Sequence, residues 1–202
     1  MGARAVVGLA GAPGAGKSAL AAELARRLGA RVVQYDQFQP ITRLPPEEVR
    51  AWFLRGGDPN EFEMKDLLLE LARWTRPASQ GPRHVVFETP FGRLHRRSGA
   101  YIDFLVWLDT PPDVALSRAM LAALEMFARA SRPEQASGFL AWQCQYLLNY
   151  PSVREMYAAQ RAAVAGDAEL TLDGLATTAQ MADRVVAALT AWASPTPAAP
   201  PA

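Results

Sequence analysis

The chain has almost none of the residues that work through sulfur or imidazole. Across 202 positions there is one cysteine, Cys144, and there are two histidines, His84 and His95. A single cysteine excludes an internal disulfide and a multi-cysteine zinc site, and it fits a reducing compartment. Neither histidine has ligand spacing to a second His or Cys, which argues against a protein-built metal centre. A charge excess is also missing: 21 Lys+Arg face 20 Asp+Glu, for a net +1. No broad basic field is therefore available to draw in nucleic acid or an anionic membrane. Long apolar runs are absent too. The first, Ala5 to Ala15, is rich in Gly and Ala and leads straight into Gly16-Lys17-Ser18, unlike a signal core. Nothing approaches the roughly 20 apolar residues that span a bilayer. These absences lead to the expectation of a cytoplasmic protein with no nucleic-acid and no membrane partner. Hydrophobic residues make up 50% of the chain and charged residues 20%, which excludes a disordered chain and suits one domain with a full core.

The apolar pattern alternates between two periods. Ala5–Ala10 is a short apolar run bounded by glycine, the mark of a buried strand. From Ser18 to Leu28, Leu20, Leu24 and Leu28 share one helical face, and Gly29 ends the helix. A second strand is expected over 31–35. A helix should open at Pro45-Pro46-Glu47-Glu48, with proline early and acids in the first turn, and end at Gly56-Gly57. Further helices are expected over 63–74, from Pro112 to about Arg129, over about 136–163 with an interruption at Pro151, and over 178–192. Strands are expected over 84–87, 104–108 and 169–172. Strands separated by helices indicate an α/β fold with a mainly parallel five-stranded sheet covered on both faces. One domain is expected over 1–193. The tail 194–202, with four prolines among its last eight residues, reads as disordered.

Between the first strand and the first helix stands Gly11-Ala12-Pro13-Gly14-Ala15-Gly16-Lys17-Ser18, which fits G-x-x-x-x-G-K-[ST] at every fixed position. Glycines let such a loop curl so that its N–H groups face phosphate oxygens, and the following helix N-terminus adds partial positive charge. Residues 11–18, with Ala19 in the first helical turn, are the expected nucleoside triphosphate site. Lys17 should reach the β- and γ-phosphates and the Ser18 hydroxyl should ligate Mg²⁺. The motif does not name the reaction. A GTPase would need D-x-x-G and N-K-x-D elements, and the sequence has neither. Kinases of small molecules are the class left at this size.

In an open α/β sheet, ligands bind beyond the carboxyl ends of the strands. Tyr35-Asp36-Gln37-Phe38 follows the second strand, Glu88 the third and Asp109 the fourth. Asp36 is placed to accept the proton of an attacking hydroxyl, with Tyr35 and Phe38 as pocket neighbours. Glu88 is a candidate for the metal-bound water or the substrate. A turn-and-cap role is the expectation for Asp109, and Arg93 is a candidate contact to an anionic group. Trp52, Phe53, Trp142 and Tyr146 stand at helical positions and read as core or subunit packing, with Trp52 and Phe53 as alternative pocket walls. The Leu/Ala-rich stretch 121–127 leaves open either a homodimer contact or an apolar pocket.

In these motifs the chain resembles the uridine kinase and phosphoribulokinase group of P-loop kinases, over roughly residues 5–190. Tyr35-Asp36-Gln37-Phe38 is similar to the family's Asp-x-Phe strand end, which implies that Asp36 is the base. Gly57-Asp58-Pro59-Asn60-Glu61-Phe62-Glu63 is similar to its Asp-His-Pro-x-Ala-Phe-Asp segment, which implies that Asp58 holds substrate hydroxyls. Val86-Phe87-Glu88 resembles its Phe-Glu-Gly strand end, with Thr89 in place of the glycine. Phe104–Asp109 followed by Leu116-Ser117-Arg118 resembles the strand and the entry to a helical lid, here about 112–150. Gln145-Tyr146, Pro151, Tyr157 and Ala168-Glu169-Leu170 resemble the closing section. The resemblance implies a P-loop three-layer sandwich using ATP and Mg²⁺, with lid arginines neutralising the transferring group. Arg118 keeps that pattern, and Arg129 or Arg132 would supply the rest. Residues 74–83 leave little length for the base-reading β-hairpin of uridine kinases. The expected activity is transfer of the γ-phosphoryl group to a hydroxyl of a small molecule, a nucleoside or another hydroxylated metabolite, with an antibiotic phosphotransferase as one variant. A nucleotide-binding regulatory or scaffold protein is the reading from another class.

Overall fold

A computed structural model describes residues 4–38, 46–76, 84–130 and 135–194. Five strands, β1 (Ala5–Ala10), β2 (Arg31–Gln34), β3 (His84–Glu88), β4 (Phe104–Asp109) and β5 (Leu170–Asp173), form one sheet in the order β2-β3-β1-β4-β5. All four pairings are parallel. Every residue of β1 is buried and the edge strands are only partly so, which is why β1 reads as one apolar run. With β3 on one side of β1 and β4 on the other, the loop leaving β1 opens between the ends of those two strands. This arrangement brings the glycine-rich loop, Glu88 and Asp109 to one edge of the sheet.

Two apolar layers hold the sheet. Leu20 and Leu24 of α1 (Lys17–Leu28) and Met181, Val185 and Leu189 of α7 (Thr178–Trp192) pack with Val7, Leu9, Val86, Val106 and Leu108 on one face. Leu67 and Leu71 of α3 (Lys65–Thr75) pack with Val85, Phe87, Leu105 and Trp107 on the other. Thr177 caps α7 in a reciprocal capping box with Gln180, which satisfies two otherwise unpaired N–H groups. The remaining helices are α2 (Pro46–Leu54), the short α4 (Arg96–Gly99), α5 (Pro112–Ala130) and α6 (Ala136–Val164). Among the described residues no helix is long and apolar enough to cross a membrane.

Several boundaries depart from the sequence reading. The helix expected from residue 63 begins at Lys65, because Met64 adopts φ 46° and turns its side chain into the core. Strands β3 and β4 run on through Glu88 and Asp109, so both acids are the last strand residues rather than the first loop residues. Helix α6 continues through Pro151. The proline frees one carbonyl, that of the exposed Leu147, which water can satisfy. Packing on both sides, at Gln143 and Val164, carries the helix across. The expected tail disorder falls on 195–202, outside the described residues apart from Ser194.

The connection from β3 to β4 crosses over the end of α6 at Gly92, where φ is +53°. A Cβ added there would lie 2.6 Å from Cγ1 of Val164, and the left-handed backbone adds strain of its own. Gly92→Ala is expected to cost about 1–3 kcal/mol by overpacking, read from the midpoint of urea unfolding. An unchanged midpoint would mean that this crossing is not packed as described.

Candidate active site

The loop between β1 and α1 is built by burial and by backbone geometry. Gly14 has φ +78°, and a Cβ there would sit 1.9 Å from the carbonyl oxygen of Ala115 in α5, so only glycine permits this approach. The Ala15 N–H donates to the Ala12 carbonyl at 3.0 Å, closing the curl, and the Thr110 hydroxyl donates to the Ala15 carbonyl at 3.1 Å. The Lys17 ammonium lies inside, donating to the carbonyls of Gly11 (2.9 Å) and Ala12 (3.0 Å). Burial holds its pKa below the ordinary lysine value, while Glu88 and Asp36 pull it back up. Ser18 and Ala19 are exposed on the first turn of α1, so the helix N-terminus faces open space.

The two strand-end acids meet this loop. The Ser18 hydroxyl donates to Oε1 of Glu88 at 2.8 Å, and the Gln34 amide donates to Oε2 at 3.0 Å. Gln37 in turn donates to Gln34 at 2.6 Å. Glu88, 7% exposed, is thus oriented from both sides. Asp36 lies in the 3₁₀ turn Tyr35–Gln37 that follows β2. Burial raises its carboxyl pKa, Lys17 opposes that shift and Glu88 adds to it. Lys17, Ser18, Asp36 and Glu88 therefore share one electrostatic neighbourhood. A serine hydroxyl beside a fixed carboxylate suits Mg²⁺, which takes few protein oxygens and keeps waters and phosphate oxygens as its other ligands. Among the described residues no group of three or more His, Cys, Asp or Glu is placed to hold a metal.

Other candidates lie elsewhere. Tyr35 is 1% exposed, its ring edge-on to Phe91 (5.5 Å) and near His95 (6.2 Å). It is core, because the chain turns Tyr35 inward where it turns Asp36 outward. Phe38 is half-buried at the end of the same turn. Trp52 is core as well, packed on Phe62 and Phe91. Asp58 caps the short turn Pro59–Glu61, accepting from the Asn60 N–H (2.9 Å) and side-chain amide (2.7 Å), and these bonds lower its pKa. Asn60 carries the link onward to the Leu94 carbonyl and the Arg96 N–H.

The cations are distributed differently from the expectation. Arg93 points to the opposite end of the sheet, where it donates to Glu169 (2.9 and 3.1 Å), to the Asp167 carbonyl (2.9 Å) and toward the Ile102 and Asp103 carbonyls just ahead of β4. Two acids and three carbonyls outcompete the cleft for it. Arg118 donates to the Gly174 carbonyl at 2.9 Å, in the loop after β5. Arg129 is largely exposed and pairs with Glu125 one turn away. Arg132 lies outside the described residues.

Two cations that the sequence reading passed over stand at the loop instead. Arg154 and Arg161 of α6 line a cavity of about 180 Å³ together with Ala12 and Pro13 of the loop and Tyr146, Tyr150 and Tyr157 of α6. Arg161 makes two bonds to Asp109, at 2.6 and 2.7 Å, and this pairing lowers the Asp109 pKa. Asp109 is thus an ion-pair partner rather than a turn cap, because it ends β4 facing α6. Tyr157, half-buried, donates its hydroxyl to Tyr146 and lies within electrostatic range of Asp36. The available signal was the seven-residue spacing of Arg154/Arg161 and of Tyr150/Tyr157, which puts each pair on one helical face.

No family model matches the chain, and no curated protein matches it in sequence. Solved structures do. A gluconokinase from Sinorhizobium meliloti 1021 superposes with a TM-score of 0.51 at 16% identity, covering 96% of this chain and 95% of that one. A sugar kinase from Janibacter sp. HTCC2649 gives 0.51 at 20% identity, covering 93% and 95%. The likeness is one of fold.

Two expected outcomes follow from this geometry. Arg93→Met should lower thermal stability by the equivalent of about 1–3 kcal/mol and leave nucleotide affinity unchanged. The reverse pattern in calorimetry and binding would return Arg93 to the cleft. The second concerns Asp36, whose raised carboxyl pKa means that the folded chain holds this proton more tightly than the unfolded chain. Stability therefore falls as pH climbs from the unfolded carboxylate value, about 4, through the raised folded value. Asp36→Asn should melt higher than the parent at pH 7, with the gap closing below about pH 4. Identical pH dependence of the two proteins would contradict the raised Asp36 carboxyl.

Proposed function

We propose that this protein is an ATP-dependent phosphotransferase that moves the γ-phosphoryl group to a hydroxyl of a small molecule. The observation that carries this reading is the convergence of Lys17, the Ser18–Glu88 pair and the raised Asp36 carboxyl at one edge of the sheet. A protein that only bound nucleotide would need the loop and its lysine. It would have no use for a second carboxylate of raised pKa at the neighbouring strand end. The gluconate and sugar kinases that share the fold and the resemblance to the uridine kinase group support the same class.

In this reading the loop N–H groups and the Lys17 ammonium hold the β- and γ-phosphates. Ser18 would hold Mg²⁺ with Glu88 behind it, and the bound metal would offset charge on the phosphate oxygens. Asp36 takes the proton of the acceptor hydroxyl as its oxygen bonds to the γ-phosphorus and the bond to the β-phosphate oxygen breaks. ADP and the phosphorylated acceptor result. Arg161 and Arg154 supply the positive charge that the transferring group requires, in place of the arginines expected along the lid helix. Arg118, bonded to the loop after β5, flanks the nucleoside end of ATP. Residues 112–150 would act as the lid of a single kinase domain.

A nucleotide-binding regulatory protein is the second reading, favoured by the scarcity of arginine in α5. Incubation with ATP, Mg²⁺ and a mixed panel of nucleosides, sugars, vitamins and hydroxylated antibiotics, followed by mass spectrometry, separates the two. The expected result is one acceptor gaining a single phosphoryl group. That product should be absent with Lys17→Ala and reduced about 10²–10⁴-fold in turnover with Asp36→Asn, which should retain ATP binding. Full activity of Asp36→Asn would remove the assigned base.

A further inference from the structure

The cavity at the glycine-rich loop shares a wall with a larger one. Between α2 and α6 lies a cavity of about 510 Å³ lined by Leu54 and Trp142 and by Glu47, Arg50, Gln145 and Asn149. Trp142 lines this outer cavity, Tyr146 lines the inner one, and their rings stack 5.8 Å apart at 15°. Tyr146 stands 6.3 Å from Tyr150, and both line the inner cavity with Tyr157, Ala12 and Pro13. An aromatic wall thus leads from the outer cavity to the glycine-rich loop.

The chemistry of the outer cavity is specific. Trp142 is 51% exposed and Leu54 68% exposed, a high exposure for side chains at the edge of a catalytic cleft. The one cation and one anion among the described lining residues, Arg50 and Glu47, balance each other. The stretch of α5 beyond Arg118 continues the theme, with Leu121, Leu124 and Met126 exposed and Phe127 stacked on Phe139 of α6 at 4.3 Å. Next to Trp142 in sequence, the Gln143 side chain is 5% exposed, and neither end of its amide has a partner among the described residues. It recurs at seven-residue spacing with Tyr150 and Tyr157, and so shares their helical face. A buried amide keeps one donor and one acceptor to give.

The geometry points to an acceptor that is neutral and carries a flat aromatic body with a hydrogen-bonding edge and a hydroxylated arm. The body stacks on Trp142 in the α2–α6 cavity, and the arm follows the tyrosine wall to the glycine-rich loop. This assignment rests on the phosphotransferase reading. It disfavours phosphorylated acceptors, because the described lining offers only Arg50, which Glu47 offsets, and small sugars, which would leave Trp142 bare.

Calorimetric titration of the full chain tests it with three probes: tryptophol as a neutral aryl alcohol, glucose as a neutral non-aromatic alcohol, and uridine 5′-monophosphate as an anionic aromatic. Tryptophol should bind at least tenfold more tightly than the other two. Trp142→Ala should weaken it about tenfold, with Trp142→Phe retaining most of the affinity and ATP affinity unchanged in both. No tryptophol binding, indifference to Trp142→Ala, or preference for glucose or the monophosphate would overturn the assignment. A dimer in sedimentation that Trp142→Ala dissociates would give the cavity to a second copy of the chain and also overturn it. Product analysis with ATP and Mg²⁺ keeps the two readings apart. Trp142-dependent binding without a phosphorylated product leaves the aromatic site and removes phosphotransfer. Phosphorylation of glucose by both parent and Trp142→Ala does the opposite.

Discussion

A buried ammonium sets the terms for this molecule. Lys17 sits inside the curl of its own loop, bonded to two carbonyls and drawn upward in pKa only by Glu88 and Asp36. An unpaired buried charge is costly, so the strand ends on the β3 side must carry acids, and those acids must be held. Glu88 is held by Ser18 and Gln34, and Gln34 by Gln37. The requirement passes down the sheet as well. The parallel register that pairs Gln34 with Glu88 and Leu9 with Glu88 is what sets β1, β2 and β3 at one level. The fully apolar β1 and the two layers packed on it are the scaffold that keeps one lysine and two carboxylates within range of each other.

The fold was largely legible because its signals are local. The bounds of β1 and α7 follow from apolar period, glycine punctuation and capping residues, and the loop follows from a motif in its proper strand–helix context. The departures have one cause in common, tertiary contact that local pattern does not encode. Pro151 reads as a break until Gln143 and Val164 are seen to anchor α6 on both sides of it. Met64 enters a left-handed conformation because the core takes its side chain.

Site residues divide along the same line. Those tied to strand ends, Lys17, Ser18, Asp36 and Glu88, come together because a parallel sheet makes strand ends adjacent. Those inferred from residue type alone went astray. Arg93 follows Glu88 closely in sequence, yet the connection to β4 travels down the sheet and delivers its guanidinium to Glu169. Tyr35 precedes Asp36, and the 3₁₀ turn that holds both sends Tyr35 into the core and Asp36 outward. Arg161 was invisible because nothing near it in sequence announces a nucleotide. Only the return of α6 past β4 brings it to Asp109 and to the loop.

That return also explains how a helix as poor in arginine as α5 can border a site for a polyanion. The cations stand on the C-terminal half of α6, at the loop, and the N-terminal half carries aromatic and amide side chains. One helix thus divides the cleft by charge along its length, with Arg154 and Arg161 toward the glycine-rich loop and Trp142 and Gln143 some distance up the axis. A cation near Trp142 would gain little from a neutral acceptor and would attract free nucleotide into the acceptor side. An apolar surface at Arg161 would leave the Asp109 carboxylate with the Trp107 indole N–H, at 3.3 Å, in place of an ion pair. Placing the boundary at Tyr150 and Tyr157, whose hydroxyls hold the Pro112 carbonyl and Tyr146, keeps the two environments separate on a single rigid element. Glu88 and Asp36 meet the buried lysine, and the cations of α6 stay beside the loop with Asp109 as their partner.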